Sequence, residues 1–175
     1  MAGSRDQRAL HGILLLFVLV TSVIPVGAAQ PFKFPTTGRF ILPPSLGKKL
    51  LDQCSRTGPT MIKEFWQPSA KEVDELELSL GKYLEERERA GKPNPPIDAT
   101  YHRQYVGFVG KVGSIHQGER LIYGNFYPDS VLRLGTPGSE STQPVGVCDG
   151  GPAFWGIVYR VSTKTFEDLE FNGRA

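Results

Sequence analysis

Cys148-Asp149-Gly150-Gly151 is where this chain gathers groups that could do chemistry. A thiol and a carboxylate stand side by side at a double glycine, just before Phe154-Trp155-Gly156. The residues that could assist them are few. His102 and His116 are the histidines beyond the first dozen residues, and Cys54 is the other cysteine of the chain. A cysteine nucleophile needs a histidine in hydrogen-bond contact and a third group to orient it. His102 sits in a strand-like run that can neighbour Cys148. The competing use of Cys148 is a bond to Cys54, which an oxidising compartment favours for an even pair of cysteines. We expect the Cys54–Cys148 disulfide and no catalytic cysteine. Asp149, His102 and Arg103 remain as an acid–base set for a hydrolase. The commoner role of Asp149 is to accept backbone N–H groups in a turn. No HxH, HExxH or CxxC spacing occurs, so no metal and no cofactor are expected.

The start of the chain supplies the compartment. Arg5 and Arg8 precede the apolar run Ile13–Val20, which continues to Ile24, is broken by Pro25, and exits through Gly27-Ala28-Ala29. A basic start, an apolar middle and a small-residue exit make a secretory signal peptide. The run falls short of the roughly 20 apolar residues of a spanning helix. Residues 1–29 are therefore expected to be removed, and the address is periplasmic or secreted. The membrane is a partner only if this segment is retained. Across 175 residues, 20 Lys and Arg stand against 18 Asp and Glu, which gives nucleic acid no electrostatic footing.

The elements that must hold these groups follow in order. Residues 30–64 read as an N-terminal arm and a short helix. Gly38–Leu42 is either a short edge strand or a loose arm, and Ser45–Arg56 is the helix, with Leu46, Leu50, Leu51 and Cys54 on one face. Residues 65–175 read as the helix-plus-sheet domain. Ser69 and Glu72 form a capping box. Val73, Leu76, Leu80, Tyr83 and Leu84 then make the apolar stripe of one long amphipathic helix, Ser69–Ala90. From Thr100 the period becomes two. Strands are expected at Tyr101–Val109, Arg120–Tyr127, Val145–Val161 (long and bulged at its glycines) and Thr165–Phe171. A polar loop, Ser130–Thr142, separates the second strand from the third. The fold class is α+β, with one long helix on a curled antiparallel sheet of four to five strands. In arrangement it resembles the cystatin-like and NTF2-like folds, which host inhibitors, enzymes and binding modules alike.

Within the sheet, Tyr101, Arg103, Tyr105, Tyr123 and Tyr127 are read as one parity on adjacent strands. A helix covers one sheet face. If this parity points away from it, the five form a Tyr/Arg patch of the kind enriched at interfaces. If the sheet curls, they line a pocket. The series Arg103-Gln104-Tyr105-Val106-Gly107, Leu121-Ile122-Tyr123-Gly124-Asn125-Phe126, Val147-Cys148-Asp149-Gly150-Gly151 with Phe154-Trp155-Gly156, and Phe171-Asn172-Gly173 resembles an uncharacterised family of small exported bacterial proteins. The likeness covers roughly the last half of the chain plus Phe65-Trp66. It implies a bacterial source and an extracytoplasmic address, and no activity. The expected function is a non-enzymatic exported protein that binds a protein or peptide through the Tyr/Arg face, an inhibitor-like module being one version. The alternatives are a small-ligand pocket or hydrolase using Asp149, His102 and Arg103, and a structural envelope protein.

Overall fold

Ser69 starts the long helix as its sequence requires. Its hydroxyl accepts from the Glu72 N–H, and the Glu72 carboxylate accepts from the Ser69 N–H. We describe a computed structural model, which covers residue 34 and residues 38–96, 100–130 and 138–174. The expected signal segment 1–29, the start of the arm and positions 131–137 of the polar loop lie outside the described residues.

The elements are β1 (Arg39–Ile41), α1 (Gly47–Leu51), β2 (Ile62–Trp66), α2 (Ala70–Arg89), β3 (Tyr101–Gly110), β4 (Arg120–Pro128), β5 (Trp155–Arg160) and β6 (Thr165–Phe171). The class is α+β, with a mixed sheet. β3, β4, β5 and β6 form an antiparallel series. β3 is long enough to carry two short strands on its other edge. β1 runs parallel to it at Arg103–Tyr105, and β2 runs antiparallel at Gly107–Gly110. The expectation of a purely antiparallel sheet is corrected by β1. At Gly107, an added Cβ would lie 2.2 Å from the Trp66 ring, so β2 packs its indole directly on the β3 backbone.

Both sheet faces are covered. Val73, Leu76, Leu80 and Leu84 of α2 meet Tyr105, Ile122, Phe126, Trp155, Ile157 and Tyr159. Phe126 and Trp155 stack at 3.7 Å between ring centroids. On the opposite face, Leu42, Leu50 and Leu51 pack on Val106, Phe108, Leu121, Tyr123 and Val158.

The short helix is shorter than expected from Ser45–Arg56. A 3-10 turn, Pro44–Leu46, leads into α1, which stops at Leu51. The Gln53 amide donates to Leu50 O (2.7 Å) and ends it. Cys54 thus stands past the helix at an exposed position, not on its inward face. It is nonetheless bonded to Cys148, with the two Cα atoms 5.4 Å apart. The expected long strand Val145–Val161 is also shortened. Asp149 (φ 58°) and Gly151 (φ 65°) are left-handed, and a 3-10 turn spans Gly151–Ala153. The chain becomes extended strand only at Trp155. Among the described residues, no helix is long and apolar enough to cross a membrane.

Candidate functional site

The residues expected to form an outward Tyr/Arg patch are inside. Exposure is 0% for Arg103 and Tyr105, 1% for Tyr127, and 2% for Tyr101 and Tyr123. They do not share a face either. Arg103 pairs with Phe126 and Tyr105 with Gly124, so Tyr101, Arg103 and Tyr105 lie on the α2 side. Tyr123 opposes Val106 and Tyr127 opposes His102, which puts both on the other side. That other side is not bare, because α1 and residues 138–148 lie over it. Gln104 holds this cover: its amide donates to Glu140 O and Gln143 O (2.7 Å each) and accepts from Val145 N–H (2.8 Å).

Arg103, Tyr105 and Tyr123 spend their polar groups internally. Arg103 Nε donates to Glu77 Oε1 (3.0 Å), and Tyr105 O–H donates to the same oxygen (2.9 Å). Burial, and next the Glu77 charge, push the Tyr105 hydroxyl well above its ordinary range. Tyr123 accepts from Arg56 Nε (3.1 Å), and burial raises its hydroxyl and that of Tyr127. Arg56 also donates to Asn172 (2.7 Å) and Asn125, which joins the polypeptide just after Cys54 to β4 and the C-terminal segment.

The acid–base candidates do not converge. His102 Nε2 meets Asp129 (2.7 Å) and its ring stacks on Phe40, on the face opposite Arg103. Asp149 is exposed, and its N–H donates to Ser55 Oγ (3.3 Å). Among the described residues, no group of three or more His, Cys, Asp or Glu side chains could hold a metal ion.

A different site emerges at the far end of β3. A half-enclosed cavity of about 290 Å³ lies between Pro59–Met61 and the β3–β4 turn at Gly113–His116. Phe108 and Val158 line its apolar part, and Asp168 of β6 stands in its wall. Gly110 allows the turn to fold back: a Cβ there would lie 1.9 Å from the His116 carbonyl oxygen. Two non-glycine residues of the wall, Met61 (φ 57°) and Asp168 (φ 52°), are left-handed. Such conformations are strained for methionine and are kept only where the surroundings fix them. Beside the cavity, Met61, Val112 and Ile115 are 49%, 71% and 89% exposed.

The chain matches no family model, no curated protein and no solved structure.

Charged groups brace the cavity wall. Arg160 grips Glu119 with two bonds, Nε to Oε2 (2.9 Å) and Nη2 to Oε1 (2.6 Å). His116 lies between Glu167 (3.0 Å) and Glu119 (3.7 Å). The Arg160 hydrogen bond holds the Glu119 carboxyl below its ordinary range, whereas burial pushes Glu167 up. A carboxylate with a lowered pKa stabilises the fold above its unfolded pKa, and that stabilisation is lost as pH falls through the folded value. Protection factors for hydrogen exchange in residues 111–119, taken relative to the intrinsic exchange rate at each pH, are accordingly expected to fall as pH drops through and below the ordinary carboxylate range. Glu119→Gln should remove that fall. An unchanged fall in the variant would place its origin elsewhere.

Sequence reasoning missed Met61, Phe108, Ile115, Val158 and Asp168. One signal was available: Val112 and Ile115 are apolar residues in a glycine-rich turn, where no core requires them.

Proposed function

We propose that the protein is an exported, non-enzymatic binding module that recognises a protein or peptide through the cavity at Met61, Phe108 and Ile115. One observation carries this: an apolar cavity opens beside exposed Met61, Val112 and Ile115, with left-handed Met61 and Asp168 in its wall. Contiguous exposed apolar surface marks interaction sites. Methionine suits such a site because its side chain adapts to varied partners. A volume of about 290 Å³ takes one large side chain. The exposed residues beside it extend the surface beyond what a small ligand needs, which favours a macromolecular partner.

Export is supported by the leader-like start and by the Cys54–Cys148 bond. The order β2-α2-β3-β4-β5-β6 supports a cystatin-like or NTF2-like assignment, with β1 and α1 added. An inhibitor of an extracytoplasmic hydrolase is one version of such a module. The architecture alone does not select it.

Panning a random peptide library against the disulfide-bonded protein tests the proposal. The enriched peptides should share one large apolar residue. Ile115→Asp, at a solvent-facing position, should weaken them about ten-fold, as expected for losing a buried apolar contact. The melting temperature should stay unchanged. Undiminished affinity in that variant would move the binding site away from this cavity.

A further inference from the structure

The cavity wall is asymmetric in charge. Of its residues, Asp168 carries a carboxylate, and none is a lysine or arginine. Among the described residues, Asp168 makes no ion pair. Two cationic groups near it are already committed, while Lys111 stands in the turn beside the wall, its backbone N–H donating to the Met61 carbonyl (2.7 Å). Arg160 is taken by Glu119, and His116 is shared between Glu119 and Glu167. Glu170, two residues on, adds a further negative charge whose pKa is raised by burial first and by Asp168 as well. Lys63 pairs with Glu64 (3.7 Å), outside the wall. The apolar lining from Met61, Phe108, Ile115 and Val158 thus meets the Asp168 carboxylate of β6.

We propose that the occupant is a basic peptide that inserts one large apolar or aromatic side chain and places a neighbouring lysine or arginine beside Asp168. This rests on the cavity being the binding site. The size agrees with one aromatic ring: an apolar cavity of about 150 Å³ already holds benzene. Electrostatic complementarity at a rim selects partners and registers them more than it adds affinity.

Asp168 is well placed for a test. Its backbone is left-handed (φ 52°), a conformation that asparagine accepts as readily as aspartate. Asp168→Asn therefore removes the charge and keeps the backbone.

Amide-resonance titration of the oxidised protein at pH 7 with four capped peptides decides the matter: Lys-Phe-Lys, Ser-Phe-Ser, Glu-Phe-Glu and Lys-Ala-Lys. Lys-Phe-Lys should bind about five-fold tighter than Glu-Phe-Glu, the scale of a few solvent-exposed ion pairs. The shifts should centre on Met61, Gly113 and Ile115. The ratio should fall below about two-fold in Asp168→Asn and shrink with added salt. Equal binding of the three phenylalanine peptides would overturn the charge inference and leave the cavity as a site. Lys-Ala-Lys binding as tightly as Lys-Phe-Lys would overturn the inserted side chain. If no phenylalanine peptide shifts Met61 or Ile115, this inference and the proposed function fail together.

Discussion

Arg103→Met is expected to destabilise the native state by about 3–5 kcal/mol, the range for breaking a buried ion pair at one partner. Arg103 is fully buried, donates to Glu77 (3.0 Å) and to the Tyr101 carbonyl (3.0 Å), and lies over the Phe34 ring. Methionine roughly keeps the volume and removes the charge. Glu77 would then keep Tyr105 (2.9 Å) and Arg39 (3.6 Å), so the loss should fall at the lower end of the range. Urea unfolding measures it. The double variant with Glu77→Gln should lose less than the two single changes together, because each single change strands the other group. A loss under about 1 kcal/mol, the value of a surface pair, would make Arg103 dispensable to the fold and return it to consideration as a recognition residue. Binding assays with Arg103→Ala or Tyr105→Ala are affected in the same way. Both side chains sit between α2 and the sheet, so lost binding in these variants would report a damaged core.

What the sequence discloses here follows the range of its signals. The start of α2 is written in Ser69 and Glu72, three residues apart, and its inner face in Val73, Leu76, Leu80 and Leu84. These are local patterns. The parity within β3 is equally local, and Tyr101, Arg103 and Tyr105 do share a side. The alignment of β3 with β4 is not local. It depends on how the turn between Val109 and Arg120 closes, and a one-residue change of register exchanges the faces. Strand parity alone therefore does not reveal that Tyr123 and Tyr127 face away from Tyr101, Arg103 and Tyr105. β2 is hidden for a related reason. Lys63 and Glu64 interrupt its apolar residues, and its pairing with Gly107–Gly110 joins segments more than forty residues apart, about the span of α2 and its connectors. The run into β5 misleads in the opposite way: its valines suggest strand, while Asp149 and Gly151 adopt left-handed angles that extended chain does not allow. The cavity draws on Pro59–Met61, the β3–β4 turn, Val158 and Asp168. No window of sequence contains it, so only tertiary structure brings it together.

Replacing both Cys54 and Cys148 by serine is expected to lower the melting temperature by about 10 °C or more. The two positions are 94 residues apart. In the chain-entropy account, closing a loop of that size stabilises by about 4–5 kcal/mol, because the open unfolded chain has more conformations to lose. The bond does not act alone. Next to it, the Ser55 carbonyl accepts from Gly173 N–H (3.3 Å) and Ser55 Oγ from Asp149 N–H (3.3 Å), while Arg56 reaches Asn172 (2.7 Å). The Ser55–Asp149 contact holds the same two segments together in the folded protein, the other two tie the Cys54 segment to residues 172–173, and all three survive the substitution. They do little for the unfolded chain, which is where the crosslink acts. The variant should therefore keep its native spectrum at 25 °C and unfold earlier on heating. Wild-type protein treated with reductant should move to the same midpoint. A midpoint within about 2 °C of the oxidised protein, less than the shift expected from 1 kcal/mol, would mean that Arg56 and its asparagines secure the junction without the sulfur bridge.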